Sequence, residues 1–280
     1  MEAIRIRQMS MCGIRLDALS RGELIELLNH AVLARDKLLI LNHNLHSLYL
    51  YETNPAFRAV YALASCVYID GLPVVWLGRA AGLPVTAAHR ITFLDSFEAI
   101  VGEASKHGWR VFYLGSTEEV VTKALVLLRD RYPQLIIDGR NGFFAQSGPE
   151  SEAVISQIND FRADILFVGM GMPLQEQWLG KHYGTLNVSA AMTSGATLDY
   201  IAGAAYRPPA WVGPLGLYGV FRMFTDPKRL WRRYLLEPLL LAKYLLPRLI
   251  WHWLGERPKT PALESLKTTE ANDEIGAANV

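Results

Sequence analysis

Short apolar runs alternate along the chain with longer stretches in which apolar positions recur every three or four residues. The runs are "LLIL" (38–41), "CVYI" (66–69), "RVFYL" (110–114), "LIID" (135–138), "DILFVG" (164–169) and "VSAAM" (188–192). Being short and almost wholly apolar, they predict strands buried on both faces, as in a parallel sheet. Between them lie "SRGELIELLNHAVLA" (20–34), "ITFLDSFEAIVGEASKHG" (91–108), "TEEVVTKALVLLRDRY" (117–132) and "PESEAVISQINDFR" (149–162), which predict amphipathic helices. The alternation is that of an α/β, Rossmann-like architecture, a mostly parallel sheet with helices on both faces. Several strand ends carry small or polar residues: Asn42 and Asn44, Asp70 and Gly71, Gly115 and Ser116, Gly169 and Gly171, Thr193 to Gly195. Open α/β sheets bind their ligands at that edge.

From about Tyr218 the pattern changes to a basic, aromatic, Leu-rich one. Thr225-Asp226-Pro227 predicts a helix start, with Asp at the N-cap and Pro at the first helical position. In that helix Lys228, Arg229, Arg232 and Arg233 share one face. Residues 235–254 are apolar, but Glu237, Lys243 and Arg248 interrupt them and Pro238 and Pro247 divide them. A membrane span needs about 20 apolar residues with few charges. The expectation is therefore an amphipathic helical appendage at a membrane interface, with Trp251, Trp253 and basic residues at headgroup level. The competing reading is a helix pair docked on the core. Beyond Glu256 the chain is polar and aperiodic, and disorder is expected. The resulting division is an α/β domain over 1–217, the appendage over 218–255 and a tail over 256–280.

Composition changes this picture little. With 280 residues, 51% of them hydrophobic, the chain can bury one large core. A net charge of +1 points to no nucleic-acid partner. The charge is nonetheless uneven: residues 221–257 hold eight Lys/Arg against three Asp/Glu, so this segment is +5 and the rest about −4. Two cysteines without C-x-x-C spacing, and a first segment without a continuous apolar core, suit a reduced cytoplasmic setting. The histidines show no H-E-x-x-H spacing. His43, His46, His89 and His182 read as structural or surface residues, and neither a metal nor a cofactor is expected.

Five stretches carry candidate chemistry, each with a plain alternative. Asp70-Gly71 is a turn, or a carboxylate at the ligand edge. Asn42 and Asn44 flank His43 at period two, so both amides reach one side; such amides also satisfy local backbone. Arg90 stands before an amphipathic helix, where it suits phosphate, although a surface Arg is the commoner case. "VGMGMPLQEQW" places Gly171 after a strand, and Pro173 opens a helix bearing Gln175, Glu176 and Trp178, whose first N–H groups can meet an anion. It lacks the Gly-x-x-Gly continuation of a dinucleotide fingerprint. "TSGATLDYIAG" offers Gly195 and then Asp199, which could equally be a capping residue. No P-loop, G-x-S-x-G or Asp-x-Asp pair is present.

Taken in order, these blocks resemble the bacterial WecG/TagA/CpsF glycosyltransferases (glycosyltransferase family 26). The resemblance runs from about Ile14 to Leu236, through "IDGLPVVW", "HRITFLD", "VFYLGS", "RYPQLIIDGRNGFF", "DILFVGMGMPLQEQW", "TSGATLDYIAG", "YRPPAW" and "FRMFTDPKRLWRRYL". It implies inverting transfer of a sugar, of N-acetylmannosamine, its uronic acid or glucose type, from a UDP-sugar to a polyprenyl-diphosphate-linked saccharide. It also implies cell-surface polysaccharide biosynthesis, peripherally on the inner face of the plasma membrane. By resemblance Asp70 matches the proposed general base, and Asn44 and Arg90 the family's pocket amide and arginine. Gln175 matches the glutamine of its Pro-x-Gln-Glu block, and Asp199 an acid near the nucleotide base. Arg222, Arg229 and Arg232 match three appendage arginines, while Asn42, Gly171 and Gly195 complete the expected binding edge. Two departures stand beside that pocket: Asn42-His43-Asn44 where the family has Thr-x-Asn, and Phe93 where it has Gly. Exposed apolar surface around the appendage would favour self-association off the membrane. Two rival classes are a non-catalytic nucleotide-binding subunit of a polysaccharide assembly complex and a Rossmann-type oxidoreductase, the latter disfavoured by the missing glycine fingerprint.

Overall fold

Two strands precede those that the apolar runs announce. In the computed structural model, which describes residues 6–209, 212, 213 and 215–255, β1 (Arg7–Met11) and β2 (Ile14–Ala18) form an antiparallel hairpin. Its two-residue turn, Cys12–Gly13, has both φ angles positive (52° and 89°), the geometry whose twist matches that of the flanking strands. β1 is a polar, mostly exposed edge strand, so it leaves no apolar run in the sequence.

Six strands follow: β3 (Leu38–His43), β4 (Cys66–Ile69), β5 (Arg110–Gly115), β6 (Ile136–Arg140), β7 (Ile165–Gly169) and β8 (Ala190–Thr193). Their spatial order is β1-β2-β4-β3-β8-β7-β5-β6, and every pairing except β1–β2 is parallel. β4, β3, β8 and β7 therefore lie side by side mid-sheet. The chain steps outward from β3 to β4 on one flank and places β5 to β8 on the other, so a crevice opens at the strands' C-terminal ends.

Alternate residues of each strand enter opposite cores. Ile40, Tyr68, Tyr113, Phe167 and Met192 face one, closed by α1 (Arg21–Ala34), α5 (Phe93–His107), α6 (Glu118–Arg131) and the short α9 (Thr197–Ile201). Leu41, Val67, Phe112, Val168 and Ala191 face the other, closed by α3 (Pro55–Ala62), α7 (Pro149–Phe161) and α8 (Leu174–His182). A third cluster forms between the hairpin, α2 (Leu45–Thr53) and α4 (Leu72–Ala80). The sequence pattern does not announce α2, α3 and α4, because they are too short to show a periodic stripe. Local chemistry starts them instead: Asn44 and Asn54 cap α2 and α3, and Pro55 and Pro73 fall in the first turns of α3 and α4.

The C-terminal segment comprises α10 (Tyr218–Thr225), α11 (Pro227–Trp231), a π-helical turn over Arg232–Leu236 and α12 (Glu237–Trp253). The helix start at Asp226-Pro227 is where the sequence puts it. The two later prolines do not divide the apolar stretch: Pro238 falls in the first turn of α12, directly after the π turn, and Pro247 lies inside a continuous helix. Leu241, Leu245 and Leu249, spaced by four, pack on the third cluster. Two of the charges that interrupt the apolar stretch are spent on α2: Arg248 holds Glu52 bidentately (2.5 and 2.8 Å), and Glu237 meets His46 Nδ1 (2.5 Å). The opposite side of α12 exposes Leu239, Leu246, Ile250 and Trp253. The inner face of the helix thus docks on the core while its outer face stays apolar and uncovered. No helix among the described residues is long and apolar enough to cross a membrane. The tail expected over 256–280 lies outside the described residues.

Candidate active site

Asp70 leaves β4 by continuing the parallel ladder one step, its N–H donating to the His43 carbonyl at 2.8 Å. Gly71 then turns the chain into α4 at φ 100°, a value that L side chains rarely adopt. Across the ladder, Asn42 and Asn44 bring their amides to one side, as their period-two spacing implies, and both Nδ2 groups donate to Asp70 Oδ2, at 3.3 and 3.4 Å. Their orientation is imposed from behind. Asn42 Oδ1 accepts from the Thr193 hydroxyl on β8 (3.0 Å), and Asn44 Oδ1 accepts from Ser47 N at the start of α2 (3.0 Å). With both oxygens engaged, only the NH2 groups are left to face the acid. His43, between them, points the other way, stacked on Tyr61 (4.4 Å between ring centres) with Nδ1 against Ser47 Oγ. Burial lowers its pKa to about 3, so it is neutral and structural.

Burial pushes the Asp70 carboxyl up to about 6, against the pull of the Asn44 hydrogen bond and the charges of Arg233, Arg90 and Arg222. The geometry thus yields a carboxylate held by one oxygen, ringed by guanidinium groups and poised to exchange a proton near neutrality. Arg90 pairs with Ile69 as a lone parallel bridge, and its Nη1 donates to the Gly213 carbonyl (2.7 Å), tying the pocket to the chain that leads into α10. Phe93, the bulky departure, turns into the core against Phe97 and Phe167 (6.1 and 5.7 Å between ring centres).

The G-x-G segment works by close approach. A Cβ on Gly169 would overlap both the Tyr113 hydroxyl and the Gly195 carbonyl, so the ends of β5, β7 and β8 meet only because this residue has no side chain. Gly171 follows at φ 84°. Gln175 is buried, and both ends of its amide are engaged: Oε1 accepts from Gly171 N (3.1 Å) and Nε2 donates to Glu176 Oε1 (2.8 Å). In this arrangement Gln175 braces the loop rather than lining the open cleft. Glu176, beside it, is also buried, which raises its pKa to about 7.

A second polar cluster lies further along the edge. The Gly195 carbonyl accepts from Tyr113 OH (3.0 Å), and Asp199 accepts from Ser116 Oγ (3.1 Å), so β5 and α9 are joined there. The sheet order puts the ends of β4 and β5 four strand spacings apart, about 19 Å. The acid–amide cluster and the Asp199 cluster therefore lie well apart along the same C-terminal edge of the sheet.

The appendage arginines do not all turn inward. Arg222 is half-buried with its guanidinium over the Tyr200 ring (5.8 Å), within electrostatic reach of Asp70. Arg232 is exposed and lies on Trp231 (5.4 Å). The side chain of Arg229 lies outside the described residues. Arg233 is half-buried over the Tyr234 ring (5.8 Å), and its charge is among those that pull the Asp70 carboxyl down. Its chemistry was visible as one of four basic residues on a helix face. Its half-buried setting was not, because burial depends on what packs against the turn over Arg232–Leu236. No group of three His, Cys, Asp or Glu among the described residues is arranged to hold a metal ion.

A mostly parallel α/β sheet with a carboxylate and a ring of guanidinium groups at its ligand edge is built for group transfer involving an anionic ligand. The family is specific: the chain matches the model of the glycosyl transferase WecG/TagA/CpsF family over residues 9–255, and it belongs to that family of glycosyltransferases. Similar proteins include the N-acetylglucosaminyldiphosphoundecaprenol N-acetyl-beta-D-mannosaminyltransferases of Staphylococcus aureus strains NCTC 8325 / PS 47 and MRSA252. Each is 30% identical over 201 residues, covering 68% of this chain and 77% of the relative. The oxidoreductase reading falls with this finding.

Proposed function

We propose that the chain moves a sugar, with inversion, from a UDP-sugar to a polyprenyl-diphosphate-linked saccharide in cell-surface polysaccharide synthesis. The names of the relatives support an N-acetylmannosamine donor and a lipid-diphosphate N-acetylglucosamine acceptor. Glucose and N-acetylmannosaminuronic acid are the competing donors. The observation that carries the reading is Asp70: its Oδ2 is anchored by two amides, while Oδ1 makes no side-chain hydrogen bond among the described residues. In the reaction the acceptor hydroxyl attacks the anomeric carbon as the bond to the UDP oxygen breaks. Asp70 takes the hydroxyl proton, and UDP leaves with the bonding pair. Negative charge grows on the departing diphosphate, where Arg90, Arg222 and the backbone of the 169–175 loop supply fixed positive ends. Asp199 and Gly195 serve the nucleotide end of the cleft.

The uncovered stripe of α12 and the basic residues before it suit a peripheral position on the inner membrane face, where the lipid acceptor resides. Off the membrane, the same stripe favours self-association. The test is a panel of UDP-sugars against a short polyprenyl-diphosphate-linked N-acetylglucosamine, with UDP release and product anomer as readouts. Release of UDP with a β-linked product is expected from one donor. UDP binding without release from any donor would instead mark a non-catalytic subunit.

A further inference from the structure

Helix α2 is short, and α12 grips it at both ends. Near its start, His46 Nδ1 meets Glu237 Oε2, in the first turn of α12, at 2.5 Å. In its last turn, the two oxygens of Glu52 accept from Nη1 and Nη2 of Arg248 (2.5 and 2.8 Å), with only 4% of the Glu52 side chain exposed. Between these pins, Leu241 and Leu245 share the third cluster with Leu45 and Leu48. A further pin reaches α4: Trp253 Nε1 donates to the carbonyl of Ala80, the last residue of that helix, at 2.8 Å.

These two helices carry the acid–amide pair. Asn44 is the N-cap of α2, its Oδ1 held by Ser47 N in the first turn, and Asp70 directly precedes Gly71, the N-cap of α4. α12 thus pins the far ends of two helices whose near ends meet through the Asn44–Asp70 hydrogen bond. That bond stands at 3.4 Å, beyond the usual range of about 2.7–3.2 Å, so a small shift of α2 decides whether it forms. An apolar stripe alone sets no unique register, whereas two polar pins on one helix fix its position and its rotation. A desolvated charge pair adds little stability over an apolar contact of the same shape, so geometry is what it contributes.

We propose that Glu52, Arg248 and Trp253 are positioning residues of the acid–amide pair: α12 splints α2 and α4 and so fixes the Asn44 amide against Asp70. The catalytic consequence rests on the glycosyl-transfer reading; the splint itself does not. The Asn44 bond and the charges of Arg90, Arg222 and Arg233 draw the Asp70 carboxyl down against its burial. Of these only the Asn44 bond stands on α2, so loosening the splint raises the carboxyl further. The titratable groups facing Arg248 besides Glu52 are Cys12 and Tyr51, and burial raises both, so neither ionises near neutrality. Burial also holds His46 below the ordinary histidine value, against the pull of Glu237, so it is neutral at pH 7.5.

The experiment uses the full chain in detergent, as wild type, E52Q/R248M, W253F, N44A, E52Q/R248M/N44A and K243M. E52Q/R248M removes both charges, so no carboxylate is left buried and unpaired. Lys243 is exposed on α12 and controls for loss of charge there. UDP release at pH 7.5 gives kcat and KM, and the Asp70 titration is read from its carboxyl carbon by NMR, assigned with D70N. E52Q/R248M should lower kcat about 3- to 30-fold with KM within about twofold, and should raise the Asp70 midpoint. W253F, which loses one neutral hydrogen bond, should move both readouts the same way by a smaller factor. K243M should stay within about twofold. In the N44A background E52Q/R248M should add less than about twofold, because the bond it acts through is already gone. A loss of full size in that background overturns the proposal, as does an Asp70 midpoint that E52Q/R248M leaves unmoved. Should E52Q/R248M not fold, W253F decides alone, and an unmoved midpoint there overturns the proposal. If the midpoint moves but wild type releases no UDP from any donor, the transfer reading fails and the splint stands.

Discussion

Replacing Asp70 by Asn should move activity and stability in opposite directions. The side chain keeps its shape, and an amide oxygen can still accept from Asn42 and Asn44, whose bonds to Oδ2 are already long at 3.3 and 3.4 Å. What disappears is the charge. The gap between the ordinary 3.8 and the folded value of about 6 corresponds to about 3 kcal/mol, at about 1.36 kcal/mol per pH unit. The sign follows from proton counts. Between pH 4 and 6 the unfolded chain has already released this proton and the folded chain has not, so stability falls across that window; above about 6 the penalty is complete. The neutral amide of D70N carries no such penalty. At pH 7.5 D70N should therefore be more stable by about 2 kcal/mol after some loss in hydrogen bonding, a rise of about 5 °C in Tm. Turnover should fall about 10²- to 10⁴-fold, the usual worth of a positioned base, while UDP still binds. UDP release and a thermal melt on the same preparation read both effects. Near-normal turnover would refute the base assignment. Lost turnover with a lower Tm would refute the claim that Asp70 is held at a cost to the fold.

Three further outcomes are expected of the same structure. In wild type, kcat/KM should rise about tenfold per pH unit below about 6 and level off above it, as the base ionises; a flat profile from pH 5 to 7 would contradict this. Gly169→Ala should cost about 2 kcal/mol or more, because the new methyl meets the Gly195 backbone and the Tyr113 hydroxyl, and a melt indistinguishable from wild type would show that the strand ends can part. Leu239→Glu with Ile250→Glu should abolish co-flotation with anionic vesicles at unchanged Tm, since both side chains are exposed; retained flotation would exclude the outer stripe of α12 as the contact.

The sheet was legible in the apolar pattern alone. Six apolar runs fall within two residues of six strands; five of those strands are buried on both faces, leaving no room for polar residues, while β6, at the sheet edge, is only partly buried. The meeting of Asp70, Asn42 and Asn44 was legible for the complementary reason: polar residues ending such strands lie at the C-terminal edge of the sheet whatever the strand order. The strand order itself was a tertiary matter. Only the β4-β3-β8-β7 adjacency brings Thr193 behind Asn42 and so aims the amide at the acid. Packing also settled which reading of α12 applies to which face. Its apolar residues form two stripes, and only contact with the hairpin and α2 shows that one is core and the other bare. Gln175 and the arginines show the limit most plainly. Residue type said amide and cation; the buried loop took up the amide, and only packing decided that Arg232 lies exposed on Trp231 while Arg233 is half-buried, because neighbouring helix positions point in different directions and their surroundings come from other parts of the chain.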